Sequence, residues 1–327
     1  MLASREIPVI VHTIQNFLGK VLNNFAGVIH MKKTIVAAAV AALVAAPAAF
    51  ADVKISGQIN QEFTNGDADD KDMKSGSNVD VVFSGSEDLG NGMKASFKIH
   101  RFYDDGDSSS TGDTDKSADN SISLSGDFGS VKVGRFEPYT VASISSMMNI
   151  DASEDLDLEE TSYSHARTEG GMQYVSPNFN GVTVGFEQFA DESVTGNDTP
   201  VQTIFAQYSN AGLTVKVAQE KDDATAATTN SVAATYAMGD FKLTAVSIDD
   251  DNGTGTDITT NMFGATYTMG ANQIAVGMRD SDTANNDDKI VSLKHSLSKQ
   301  TSVYLVHLDD DSTGANDLTL MGVKHSF

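Results

Sequence analysis

From residue 53 onward, apolar and polar residues alternate in short segments. Val53-x-Ile55-x-Gly57-x-Ile59 does so, as do Val79-x-Val81-x-Phe83, Met93-x-Ala95-x-Phe97-x-Ile99, Leu213-x-Val215-x-Val217 and Phe241-x-Leu243-x-Ala245. A period of two sets these residues on one face of a sheet and their polar neighbours on the other. No segment beyond residue 51 carries a long helical period. The connections alternate as well. Short turns fall at 88–92, 127–129, 210–212, 238–240, 269–272 and 297–300. Longer, mostly Asp-rich stretches fall at 65–76, 104–119, 136–166, 249–257, 280–288 and 309–317. The pattern predicts sixteen strands, seven short turns and eight long connections. Each strand and its connection then share about 17 residues, which suits ~10-residue membrane-crossing strands. Pro138, Pro177 and Pro200 all fall in connections, where no ladder hydrogen bond is lost.

An even strand count, alternating faces, short turns at one end and long loops at the other predict an all-β fold: a 16-stranded antiparallel transmembrane β-barrel. A closed sheet satisfies every backbone polar group inside hydrocarbon without helices. A secreted β-sandwich or β-solenoid would show similar alternation. The final segment, Met321-Gly322-Val323-Lys324-His325-Ser326-Phe327, favours the barrel because it finishes on an aromatic residue.

One segment departs from the alternation. Met31-Lys32-Lys33 is followed by an apolar run from Ile35 to Ala46, then Pro47 and Ala49-Phe50-Ala51. A basic start, a short apolar core and an A-x-A site make a signal peptide. The run is shorter than the ~20 residues of a membrane-spanning helix. Residues 31–51 are therefore expected to be removed by cleavage after Ala51, leaving a barrel domain at 52–327. Residues 1–30 read as upstream sequence ahead of Met31 as the true start; an extended leader is the alternative.

Charge and composition narrow the function. The chain has 22 Lys+Arg against 45 Asp+Glu, a formal charge of −23. Removal of the leader takes Arg5, Glu6, Lys20, Lys32 and Lys33, so the counts become 18 and 44, or −26. That balance argues against nucleic-acid binding, which needs clustered Lys and Arg. There is no cysteine, which excludes disulfides, thiolate metal sites and Cys nucleophiles. His100, His165, His295, His307 and His325 are scattered singly, and no H-E-x-x-H, G-x-S-x-G or phosphate-cradling loop is present. No enzyme activity and no cofactor are expected. Runs such as Asp249-Asp250-Asp251-Asn252-Gly253 invite a calcium reading, but none follows the EF-hand ligand order; a solvated anionic surface is preferred and no metal site is assigned.

Four stretches carry a resemblance. They are Gly85-Ser86-Glu87-Asp88-Leu89-Gly90-Asn91-Gly92-Met93-Lys94-Ala95, Gly126-Asp127-Phe128-Gly129-Ser130-Val131-Lys132-Val133-Gly134-Arg135, Tyr174-Val175-Ser176-Pro177-Asn178-Phe179-Asn180-Gly181 and the terminal Gly322-Val323-Lys324-His325-Ser326-Phe327. In this order they resemble the general trimeric porins of Gram-negative outer membranes, especially the proteobacterial branch. The resemblance implies a homotrimer in the outer membrane, contact with lipid and lipopolysaccharide, insertion by the outer-membrane assembly machinery, and passive diffusion of small hydrophilic solutes and ions.

The resemblance also assigns roles. The third long connection, 136–166, is the longest, and a loop of that length is expected to be functional. It would fold into the barrel, with Glu137, Asp151, Glu154, Asp155, Asp157, Glu159 and Glu160 as the acidic side of a constriction. A solvated surface lid is the bland alternative. Lys98, Arg135 and Arg167 would form the basic wall opposite, with His100 beyond Lys98. Strict alternation puts Arg135 with Val131 and Val133; a bend or bulge at the rim would turn it inward. Asp80, in Asp80-Val81-Val82-Phe83, stands where the family usually has a lumenal arginine. Phe327 would be the assembly signal. Most acids lie in the long connections, with Lys71, Lys74, Lys116 and Lys221 the basic residues there. A negative outer mouth concentrates cations, so mild cation preference is expected. The rival reading is a non-conducting structural or adhesive barrel with acidic surface loops.

Overall fold

The structure is a computed structural model, and it describes residues 52–65, 73–104, 114–148, 168–190, 200–223, 225–251, 253, 255, 257–282, 287–310 and 317–327. The upstream segment, the signal peptide and the Ala51 cleavage site lie outside the described residues. The strands in chain order are β1 (Asp52–Asn65), β2 (Met73–Gly90), β3 (Met93–Asp104), β4 (Thr114–Gly126), β5 (Gly129–Phe136), β6 (Thr168–Val175), β7 (Val182–Phe189) and β8 (Val201–Asn210). They continue as β9 (Leu213–Asp222), β10 (Ala227–Met238), β11 (Phe241–Asp251), β12 (Asp257–Met269), β13 (Asn272–Ser281), β14 (Asp288–Ser296), β15 (Thr301–Asp310) and β16 (Leu318–Ser326). Each pairs with its neighbours in sequence, and β1 pairs antiparallel with β16 to close the barrel. The predicted all-β, 16-stranded architecture is therefore the observed one, and Pro138, Pro177 and Pro200 lie outside its strands.

Several strands outrun the predicted segments. β2 starts at Met73 and β4 at Thr114, inside stretches read as connections, while β11 runs to Asp251 and β12 starts at Asp257. Above the hydrocarbon layer the ladder continues on backbone hydrogen bonds without lipid-facing apolar side chains, so the apolar alternation that marks a strand is lost. Asp and Ser-rich sequence there reads as loop but pairs as strand.

The register fixes the two faces. On β1 the residues Val53, Ile55 and Ile59 are exposed, and their partners Gly85, Phe83 and Val79 share that face. The same face carries Leu243 on β11, Ile274 on β13 and Leu305 on β15, all exposed. This is the outer, lipid-facing surface. Lys54, Ser56, Gln58, Asn60 and Glu62 alternate with it and point inward. The seam is closed at the end as well: Gly57 N donates to Phe327 O and Phe327 N to Gly57 O, both at 3.0 Å.

Inside, the chain leaves β5 at Phe136 and turns back into the barrel. A π-helical turn at Thr140–Ile144 and a 3-10 turn at Ser145–Met148 run along the inner wall of β9–β12. Tyr139, Ile144 and Met148 pack there with Phe205, Ala218, Ala233, Val246 and Met262. The inward-folded third loop is thus present over its described part, and the apolar core of the molecule sits between loop and wall.

Candidate functional site

Barrel interiors are usually polar, so an apolar inner patch needs a cause. Here it seats the loop. Phe205 on β8 lies flat against the wall because β7 offers Gly185 beside it; a Cβ at Gly185 would stand 2.2 Å from Phe205 Cζ. Tyr139 stacks on that ring at 3.7 Å between centroids and 8° between planes. Polar bonds march along the loop beside this contact. Tyr139 N donates to Glu187 Oε1 at 2.6 Å, Thr140 Oγ1 donates to Glu220 Oε2 at 2.7 Å, and Lys216 Nζ donates to Ser143 O at 2.6 Å. Gln173 Nε2 donates to the other oxygen of Glu187 at 2.8 Å. Strands β7 and β9 thereby hold the loop on one side of the lumen. Phe136 and Phe189, with centroids 5.0 Å apart, fill the corner where the loop departs, and Lys132 Nζ stands 3.8 Å from the Phe136 centroid.

The residues singled out from the sequence fall as follows. Asp80 points inward from β2, where Gln58 Nε2 donates to Oδ2 at 2.9 Å and His100 Nε2 lies 2.7 Å from Oδ1. Lys98 also points inward, and its Nζ donates to Asp119 Oδ2 at 2.7 Å. Each of these charges is thus met by an opposite or basic partner rather than standing alone. Arg135 pairs with Asn120 in the ladder, beside the pair Ile122 and Val133, and a register shift falls between Gly134 and Phe136. The parity of Arg135 is that of the outer face, and the inward cation of β5 is Lys132, paired with Ser123. Glu137 is partly buried, one residue beyond β5. Asp151, Glu154, Asp155, Asp157, Glu159, Glu160 and Arg167 lie outside the described residues. Phe327 pairs with Gly57 at the seam, as above.

Sequence reading passed over two features. One is the loop's seat: Val246 and Ile248 on β11 are apolar at inward parity, directly after the outward Leu243 and Ala245. A both-sided apolar stretch within an alternating strand was the available signal. The other is a set of lysines at inward parity near the short turns: Lys54, Lys94, Lys132, Lys216, Lys242, Lys294 and Lys324. Each lies within three residues of the short-turn end of its strand. Sequence order scatters them over seven strands, and only barrel closure gathers them.

Comparisons with known proteins agree with this geometry. The Gram-negative porin family model matches residues 37–315. Outer membrane porin protein 32 of Delftia acidovorans is 30% identical over 188 residues, which cover 50% of this chain and 51% of that protein; the match spans about half the length of that curated relative. Among solved structures, an anion-selective porin from Comamonas acidovorans has a TM-score of 0.63 at 23% identity, covering 85% of this chain and 100% of that one. Salmonella typhi OmpF in complex with daunomycin has a TM-score of 0.70 at 13% identity, covering 84% and 97%. At these identities the structural likeness speaks for the fold. The match of one family model over most of the chain speaks for descent: this outer-membrane barrel belongs to the Gram-negative porin family.

Proposed function

We propose that the chain forms a water-filled channel for passive diffusion of small hydrophilic solutes and ions. The observation that carries this reading is the lumen. It is enclosed by a sheet without edges, lined by inward Lys, Asp, Ser, Thr and Gln side chains, with a loop fastened against β7–β12 on one side. Reconstitution of residues 52–327 in planar bilayers tests it: steady single-channel current is expected, and absence of current in folded protein would favour the non-conducting structural or adhesive barrel.

The finer parts of the reading go with it. In the constriction, Glu137, Asp151, Glu154, Asp155, Asp157, Glu159 and Glu160 would face Lys98 and the other inward cations. The acidic loops and Asp80 support the mild cation preference expected from sequence; the seven inward lysines near the turns oppose it. With both ends weighed, the permeability ratio of K+ to Cl− is expected within about three-fold of unity, and the reversal potential in a KCl gradient measures it. Homotrimer formation is supported by the family resemblance, and unheated gel migration with cross-linking tests it. Phe327 fits the role of assembly signal. Arg101, Arg135, Lys221 and Lys289, at outward parity beyond the apolar band, suit the phosphate groups of lipopolysaccharide.

A further inference from the structure

We infer that the lumen is bipolar and rectifies current, passing more when the long-loop side is positive. The inference rests on the channel reading. Its ground is the axial sorting of charge. The seven lysines Lys54, Lys94, Lys132, Lys216, Lys242, Lys294 and Lys324 occupy the half of the lumen next to the short turns. With ~3.3 Å per residue and a tilt near 40°, three residues span about 8 Å of height. Among the described side chains, the inward strand acid in that belt is Asp88, whose Oδ1 accepts from Gly90 N; Asp127 and Asp240 lie in the turns beyond it.

The other half is sorted the opposite way. Among the described side chains, its inward cations Lys98, His100 and Arg279 are matched with Asp119, Asp80 and Asp288. Inward carboxylates continue past those pairs: Glu62, Glu187, Glu220 and Asp222 are buried, the middle two under the loop they hold, and half-buried Asp250 accepts from Thr229 Oγ1 at 2.7 Å. The long connections between those strand ends carry a further 22 of the chain's 45 acids. A ring of carboxylates favours cations and a ring of lysines favours anions. Placed in series, they do not cancel.

The polarity follows from which ion enters through which half. With the long-loop side positive, cations enter through the acidic half and anions through the lysine half. Each ion crosses the zone that favours it and accumulates where the zones meet, so conductance rises. With the opposite sign, each ion must first cross the zone that repels it, and the junction is depleted. The effect needs a Debye length comparable to the lumen, about 10 Å at 0.1 M salt and 3 Å at 1 M.

Oriented single channels test this. The chain has no cysteine, so Gln300→Cys in the exposed 297–300 turn supplies one; the side from which biotin-maleimide and streptavidin lower the current marks the short-turn mouth. In 0.1 M KCl the current at +100 mV on the long-loop side is expected to exceed that at −100 mV about two-fold. In 1 M KCl the ratio should fall to about one. A Lys54→Gln, Lys242→Gln, Lys294→Gln, Lys324→Gln variant leaves the loop contacts of Lys216 and Lys132 intact and should conduct with the ratio lost. Equal currents at both polarities in 0.1 M KCl, the opposite polarity, or an unchanged ratio in a conducting lysine variant would overturn the inference. The salt comparison needs no lysine variant, so a folding failure there leaves the test standing. Absence of all current would instead sink the channel reading.

Discussion

Gly185 and Gly57 each make room for one aromatic ring, and each ring does a different job. Beside Gly185 the Phe205 ring lies flat and becomes the platform for Tyr139. Gly185→Val would drive Phe205 off the wall, because even a Cβ would sit 2.2 Å from its Cζ. The loop then loses its stacked contact, worth about 0.5–1.5 kcal/mol beyond area. The variant is expected to insert into membranes but to give unequal, flickering conductance levels; single-channel recording checks this. At Gly57 the constraint is the seam. An added Cβ would stand 2.9 Å from Phe327 Cζ and 2.1 Å from Asp80 O. Removing Phe327 deletes both 3.0 Å bonds to Gly57 and leaves backbone groups of β1 unpaired at the edge, a liability in any sheet. The deletion variant is expected to remain periplasmic and protease-sensitive, and fractionation with a protease challenge would show it.

At the scale of the element, the third connection is held less by its own helical turns than by the wall. Five and four residues make poor helices in isolation. Their position comes from Glu187, Glu220 and Lys216, which reach out of β7 and β9 to a backbone N–H, a hydroxyl and a carbonyl. Hydrogen bonds to charged groups contribute about 1.5–3 kcal/mol each. Glu187→Ala removes the acceptor of Tyr139 N and of Gln173 Nε2 together. It is expected to loosen the loop without unfolding the barrel, seen as faster cleavage near residues 138–148 in detergent with the heat-modifiable gel shift retained. Lys216→Met should act in the same direction and more weakly, since one carbonyl loses a donor that water can replace.

Across the whole molecule, charge is arranged by height rather than by strand. Two unit charges ~8 Å apart in water interact by about 0.5 kcal/mol, so no single residue sets selectivity and several together bias it a few-fold. Glu154, Asp155 and Asp157 belong to the acidic side assigned by resemblance. Changing all three to Gln or Asn is expected to move the reversal potential toward anions by reducing the field that opposes the lysines. Changing Lys54, Lys242, Lys294 and Lys324 to Gln should move it the other way. Both shifts should shrink in 1 M KCl, as screening shortens to about 3 Å.

Alternation alone would also suit a sandwich; with short turns and long connections in alternation and four porin-like stretches in order, the sequence by itself determined the barrel. It also determined where strands could not run, through Pro138, Pro177 and Pro200. It did not determine where the strands end, because Asp- and Ser-rich ladders above the hydrocarbon pair through the backbone without an apolar alternation to mark them. Tertiary structure decided the parity of Arg135, since a register shift at Gly134 can send a side chain either way and only the pairing with Asn120 resolves it. It decided that Asp80 and Lys98 meet partners, His100 and Asp119, whose contacts depend on neighbouring strands. It also decided that lysines separated by up to 270 residues, from Lys54 to Lys324, share one belt. Alternation tells which face a residue takes, but its height relative to distant strands exists only once the sheet is tilted, staggered and closed.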